Sequence, residues 1–284
     1  MAQASKKNAN TNLPTLMLDG GLKYKGEVKS GVPNGHGKLV WPNGDTYKGD
    51  FRHGKRHGKG KRVNKDGSTY VGEYDEDQPS GKGVYKWRDG ESYEGEWRNG
   101  LFHGKGIKRL PDGTIFDGMW DMGLPKGLGV CKYPDGSQYD GDWVDGQPHG
   151  IGKKILPDGT EYTGRWVEGK ARGHGLKKLP NGTLFEGEWE ESKFLKGKCQ
   201  FPDGQIFDGE WVDGKPEGYG IKSWPDGRRY EGQWFQGKPV GEGVKTYQDG
   251  SAKRGKWEGG VFIVISEVEE GENTNLAEAS KPID

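Results

Sequence analysis

Along most of the chain a large ring, a glycine and a second large ring recur two residues apart, separated by charged or polar residues. The stretch Tyr93-Glu94-Gly95-Glu96-Trp97 is typical. Residues two apart share one face of a strand. The spacing therefore predicts strands with ring, gap, ring on one side and acidic residues such as Glu94, Glu96, Asp140 and Asp142 facing solvent. The openers are Tyr24, Tyr47, Tyr70, Tyr93, Phe116, Tyr139, Tyr162 and Phe185 at intervals of 23, then Phe207 after 22 and Tyr230 after 23. Lys253 fills the slot in a degenerate last unit. The second large residue is Val28, Phe51 or Tyr74 in the first units and Trp97, Trp120, Trp143, Trp166, Trp189, Trp211, Trp234 and Trp257 in the rest.

After each such strand comes a Gly-x-Gly, as at Gly104 and Gly106, opening a second strand that ends in a large residue such as Trp41, Trp87, Leu156, Phe201, Trp224 or Tyr247. The unit closes on Asp-Gly or Asn-Gly, often after Pro, as in Pro111-Asp112-Gly113. A second turn lies around Asn99-Gly100. Asp-Gly and Asn-Gly tolerate positive φ, so the closing turns are expected to be type I′. A glycine repeated at one strand register signals close approach, here of a neighbouring unit's ring over bare backbone. An earlier apolar residue (Val84, Ile107, Val130, Leu176, Ile221, Val244) stands three before the closing one. That predicts a bulge or the strand's end between them, or packing on the other face.

Composition suits a thin structure: 53 glycines in 284 residues, with 11 Trp, 12 Tyr and 9 Phe but only 30% hydrophobic residues. Lys+Arg and Asp+Glu are 43 each, which gives no long-range pull toward nucleic acid. Two cysteines, no leading apolar segment and no long apolar run lead us to expect a soluble cytosolic protein without disulfides. Cys131 and Cys199 share a repeat position three units apart and read as packing residues. His57, His103 and His149 share another and are too far apart to bind one metal jointly. The Gly-x-Gly pairs precede no helix, so they do not form a phosphate loop. No cofactor, metal or catalytic set is expected.

Tyr93–Trp97 with His103-Gly-Lys-Gly106 resembles the MORN repeat, and the resemblance runs from residue 24 to about 260. It implies an all-β, elongated, single-layer twisted antiparallel sheet of about eleven hairpins, roughly 100 Å long at ~4.8 Å per strand. The repeat domain spans 13–265, between disordered tails at 1–12 and 266–284, the second acidic. Resemblance to repeats-only members implies a non-enzymatic scaffold or adaptor, cytoplasmic and cytoskeleton-associated, in a cytoskeletal, ciliary, flagellar or axonemal assembly, with protein partners that could include a motor or adaptor peptide.

The expected contact residues line an aromatic groove: Tyr93, Trp97, Trp120, Tyr139, Trp143, Tyr162, Trp166, Trp189, Trp211, Tyr230 and Trp234. The same rings are also the obvious core. Lys and Arg collect on the second strands, which predicts a ladder against the acidic first strands. Alternatively they form a basic stripe for anionic phospholipid, with Lys153, Lys154, Lys177 and Lys178 as headgroup candidates at the membrane periphery. Open sheet edges at both ends permit self-association. The spacing of the unit beginning at Phe185 predicts a turn one residue short, with Leu195 where others have glycine. It reads as a tolerated deletion or as a kink or docking point.

Overall fold

The alternating spacing does produce strands. The computed structural model describes residues 13–268; the predicted tails 1–12 and 269–284 lie outside the described residues. Among the described residues there are 23 strands and one single-turn 3-10 segment, Asp19–Gly21. They fall into two units, the first ending at Pro134 and the second beginning at Asp135. Within each unit every strand runs antiparallel to its neighbours in sequence, a plain meander. The last strand, Val261–Glu267, runs two residues into the segment predicted as tail.

One repeat explains the rest. Its strands are Ser92–Arg98 and Leu101–Arg109, with Tyr93 opposite Lys108, Gly95 opposite Gly106 and Trp97 opposite Phe102. The two glycines let the backbones touch. A methyl on Gly95 would fall 2.5 Å from the Gly106 Cα, and one on Gly106 would fall 2.5 Å from Tyr93 Cζ. The ring over the bare backbone is thus the hairpin's own opener, not a neighbour's as expected. The neighbour contributes a hydrogen bond instead. Trp120 Nε1 donates to the Gly106 carbonyl at 3.0 Å, as Trp97 Nε1 does to Gly83 at 3.1 Å. Tyr93 lies edge-on to its own Trp97 and to the next repeat's Trp120, with centroids 5.2 and 5.5 Å away. Such T-shaped pairs add to area burial. Tyr93 therefore welds two repeats together.

The turns exchange roles relative to the expectation. Asn99-Gly100 has φ of 51° and 77°, and Asp145-Gly146 has 48° and 80°. These are the type I′ turns that match strand twist. In Pro-Asp-Gly only the glycine is left-handed (Gly113, φ 96°). Gly113 N–H donates to Leu110 O, Leu110 N–H to Thr114 O, and Thr114 N–H to the Asp112 carboxylate. Pro111 therefore sits where a type I turn wants fixed φ, and the glycine completes the bulge that follows. The strand bulge lies at the first glycine of Gly-x-Gly, where Glu96 faces His103 while Gly95 faces Gly106. Between Val84 and Trp87 there is no bulge; the strand ends there, at Lys86. Val84 instead faces Val71 and Glu94 on the side opposite the rings.

The unit at Phe185 is short in its bulge, not in its turn. Glu191 and Ser192 keep the left-handed pair, with φ of 47° and 65°. Two residues, Leu195 and Lys196, separate the partners of Trp189 and Gly187, where the Tyr93 repeat has three between Phe102 and Gly106. Gly197 is forced to φ 136°, and the indole that should reach its carbonyl, Trp211 Nε1, is buried without a hydrogen-bond partner.

Candidate binding surface

The rings expected to line a groove are the core. None of Tyr93, Trp97, Trp120, Tyr139, Trp143, Tyr162, Trp166, Trp189, Trp211, Tyr230 and Trp234 is more than 7% exposed. Burial holds the opener phenols well above their ordinary range, that of Tyr162 at about 12 and that of Tyr230 at about 12. Tyr93 spends its hydroxyl on the Glu96 carbonyl at 2.9 Å. What a partner can touch on this face is the row that closes the second strands. These residues lie two beyond the one facing the opener and so point the same way.

In the first unit Trp41, Trp87 and Leu110 are half-buried. In the second, Leu179, Phe201, Trp224 and Tyr247 are half-buried and Leu156 is exposed. Cations flank several of them. Arg62 and Arg56 stand 5.3 and 5.6 Å from the Trp41 ring, Lys222 and Arg228 5.1 and 5.5 Å from Trp224, and Lys245 5.2 Å from Tyr247. The sequence carried this signal, since these residues all precede the closing turn at strand ends, where cover is thinnest.

The four lysines proposed for headgroups do not form one stripe. Lys154 and Lys177 face openers, Tyr162 in both cases, whereas their neighbours Lys153 and Lys178 point to the opposite side. Lys153 is engaged with Glu161 at 3.0 Å. The charge ladder is real in part: Lys198 faces Glu186 on one side and Asp208 on the other. At the start of the first unit it fails. Lys25 faces Lys38, Lys38 faces Lys48 and Lys48 faces Lys61, all exposed on the side opposite the rings. Among the described residues none of these four lysines makes an ion pair.

Cys131 and Cys199 are buried, 5% and 0% exposed, and burial pushes the Cys199 thiol up to about 11. Both pack as the sequence suggested. His57 stands beside two carboxylates of its own neighbourhood. Its Nδ1 lies 3.1 Å from Asp75, with Glu76 close by. His57 is half-buried, Asp75 and Glu76 are exposed, and Glu76 already pairs with Lys55 at 2.6 Å. The last strand leaves Val261, Ile263, Val264 and Ile265 between 45% and 64% exposed.

Each unit is thus a meander of ring-on-glycine β-hairpins whose side chains serve packing, which defines a β-hairpin repeat protein. The chain belongs to the MORN-repeat family. The MORN repeat model matches residues 24–46, 47–69, 70–92, 93–115, 116–138, 139–161, 162–184, 196–206, 207–228 and 230–252. No curated protein matches the sequence. Among solved structures the chain is similar to the TCP10 domain of Danio rerio CPAP in complex with a peptide of Danio rerio STIL. The identity is 16%, over 90% of this chain and 98% of that one, with a TM-score of 0.40. It is also similar to the SAS-4 (dCPAP) TCP domain of Drosophila melanogaster, in complex with a proline-rich motif of Ana2. There the identity is 13%, over 66% and 97% of the two chains, with a TM-score of 0.36.

Proposed function

We propose that this protein is a non-catalytic scaffold that binds extended segments of other proteins across its ring-bearing face, in a cytoskeletal or axonemal assembly. The observation that carries the reading is the closing row, in which half-exposed Trp and Tyr sit beside Lys and Arg on the packed face of each unit. Such rings bury large rigid area at little entropic cost and recur at binding hot spots. The setting rests on family membership. The test separates contact from core. Trp224→Ala removes a half-exposed ring, and its urea midpoint is expected to shift far less than that of Trp166→Ala, which empties a buried site at a cost of ~3–5 kcal/mol. Partner capture by Trp224→Ala is expected to fall although the protein stays folded. Unchanged capture by Trp224→Ala and Trp87→Ala would remove the reading.

A second reading, a peripheral membrane tether, draws on the file of unpaired lysines Lys25, Lys38, Lys48 and Lys61. It moves the headgroup candidates from Lys153, Lys154, Lys177 and Lys178 to this file, in which Lys38 and Lys61 lie on second strands. Exposed like charges in direct register repel one another and would be relieved by an anionic surface. Co-sedimentation with phosphatidylserine vesicles at low salt, lost in Lys48→Glu/Lys61→Glu and at high salt, supports the tether. No binding at low salt excludes it.

A further inference from the structure

The position facing the second large residue of each repeat fills the space between successive ring pairs. It is Pro33, Pro79, Phe102, Pro125, Pro148, Phe194, Pro216, Pro239 or Phe262 in nine cases. Arg56 takes the slot opposite Phe51 and lays its guanidinium 5.2 Å from the Tyr74 ring. Opposite Trp166 the residue is Ala171, which fills nothing. A cavity of about 170 Å³ opens there, floored by Tyr162, Trp166 and Trp189 and bounded by Leu156, Lys154 and Lys177. The missing cover registers below it: Tyr162 is 7% exposed, whereas Tyr47, Tyr70, Tyr93 and Tyr139 are at 0–1%.

The rim is basic. Lys154 and Lys177 both face Tyr162, from either side, and Lys177 Nζ lies 5.9 Å from the Trp189 ring. Among the described residues neither lysine makes an ion pair. Asp158 senses Lys177, but its carboxylate is committed to the N–H and hydroxyl of Thr160.

We propose that this notch is a specificity pocket, and that it takes the proline or phenylalanine side chain of a partner peptide bearing an adjacent Asp or Glu. The protein supplies its own template, because nine of the other ten slots hold Pro or Phe. A partner side chain here completes the stack as those residues do. The neighbouring carboxylate meets Lys154 and Lys177 at the rim, in charge-assisted hydrogen bonds that are stronger than neutral ones. The pocket deepens the scaffold reading and depends on it.

The experiment selects displayed random peptides on the full chain, then measures synthetic versions of the enriched sequences by fluorescence polarisation. Wild-type protein is expected to enrich Pro or Phe next to Asp or Glu. Ala171→Phe, which copies Phe102 and Phe194, should weaken these peptides by about 10-fold or more while melting at or above the wild-type temperature. Lys154→Glu/Lys177→Glu should weaken them comparably without touching the core, and it decides the matter if Ala171→Phe misfolds. Peptides that bind these variants as tightly as wild type overturn the pocket and leave the scaffold intact. Failure of the wild-type chain to select any peptide overturns both.

Discussion

At the scale of single residues, tyrosine openers and strand glycines form one device. The ring lies flat on Gly-Gly backbone, its hydroxyl caps a bulge carbonyl, and the next repeat's indole donates to the glycine beneath. This has a consequence in alkali. Seven opener phenols (Tyr24, Tyr47, Tyr70, Tyr93, Tyr139, Tyr162 and Tyr230) are held above their ordinary value chiefly by burial. A phenol whose pKa is raised by folding contributes stability that is complete below the unfolded value near 10 and is lost as pH rises toward the folded value. Thermal melts should therefore be flat between pH 7 and pH 9 and fall steeply above ~10, by at most about 1.4 kcal/mol per pH unit per tyrosine. A melting temperature that holds as the pH passes 11 would contradict buried neutral phenols.

At the scale of elements, the hairpin is defined by its bulge as much as by its strands. The repeat at Phe185 has lost one bulge residue, which leaves the Trp211 indole N–H without an acceptor. A buried donor left unpaired costs ~1–3 kcal/mol. Inserting a glycine after Leu195 restores the Phe102–Gly106 spacing and is expected to raise the urea midpoint. An unchanged or lower midpoint would mean the indole is satisfied some other way. The eleven hairpins and the face their rings share were legible in the sequence, because period-two spacing and a 23-residue repeat leave few alternatives, but the leading strand Thr15–Leu18 was not. Turn type and bulge position were not. Asp-Gly serves both a type I′ turn and a type I turn with a following bulge, and only the carbonyl that Gly113 N–H reaches tells them apart. The candidate contact residues were misplaced for a related reason. Periodicity marks which rings share a face, but the thickness of cover above each depends on what stands opposite. There Phe102 closes the slot, whereas Ala171 leaves it open. The file Lys25–Lys38–Lys48–Lys61 could be seen only once strand register was fixed.

At the scale of the whole molecule, strands within each unit contact their neighbours in sequence, so stability accumulates locally and a lesion should stay local. Gly152 is a fair place to test this. A methyl there would lie 2.5 Å from Tyr139 Cζ, and its carbonyl accepts the Trp166 indole at 3.0 Å. Amide hydrogen exchange on Gly152→Ala tests the ring-on-glycine account most directly. Protection is expected to collapse across the strands Gln138–Val144, Gln147–Ile155 and Glu161–Val167 while Ile206–Val212 and Arg229–Phe235 keep wild-type values. Native protection around residue 152, or an equal loss everywhere, would contradict it.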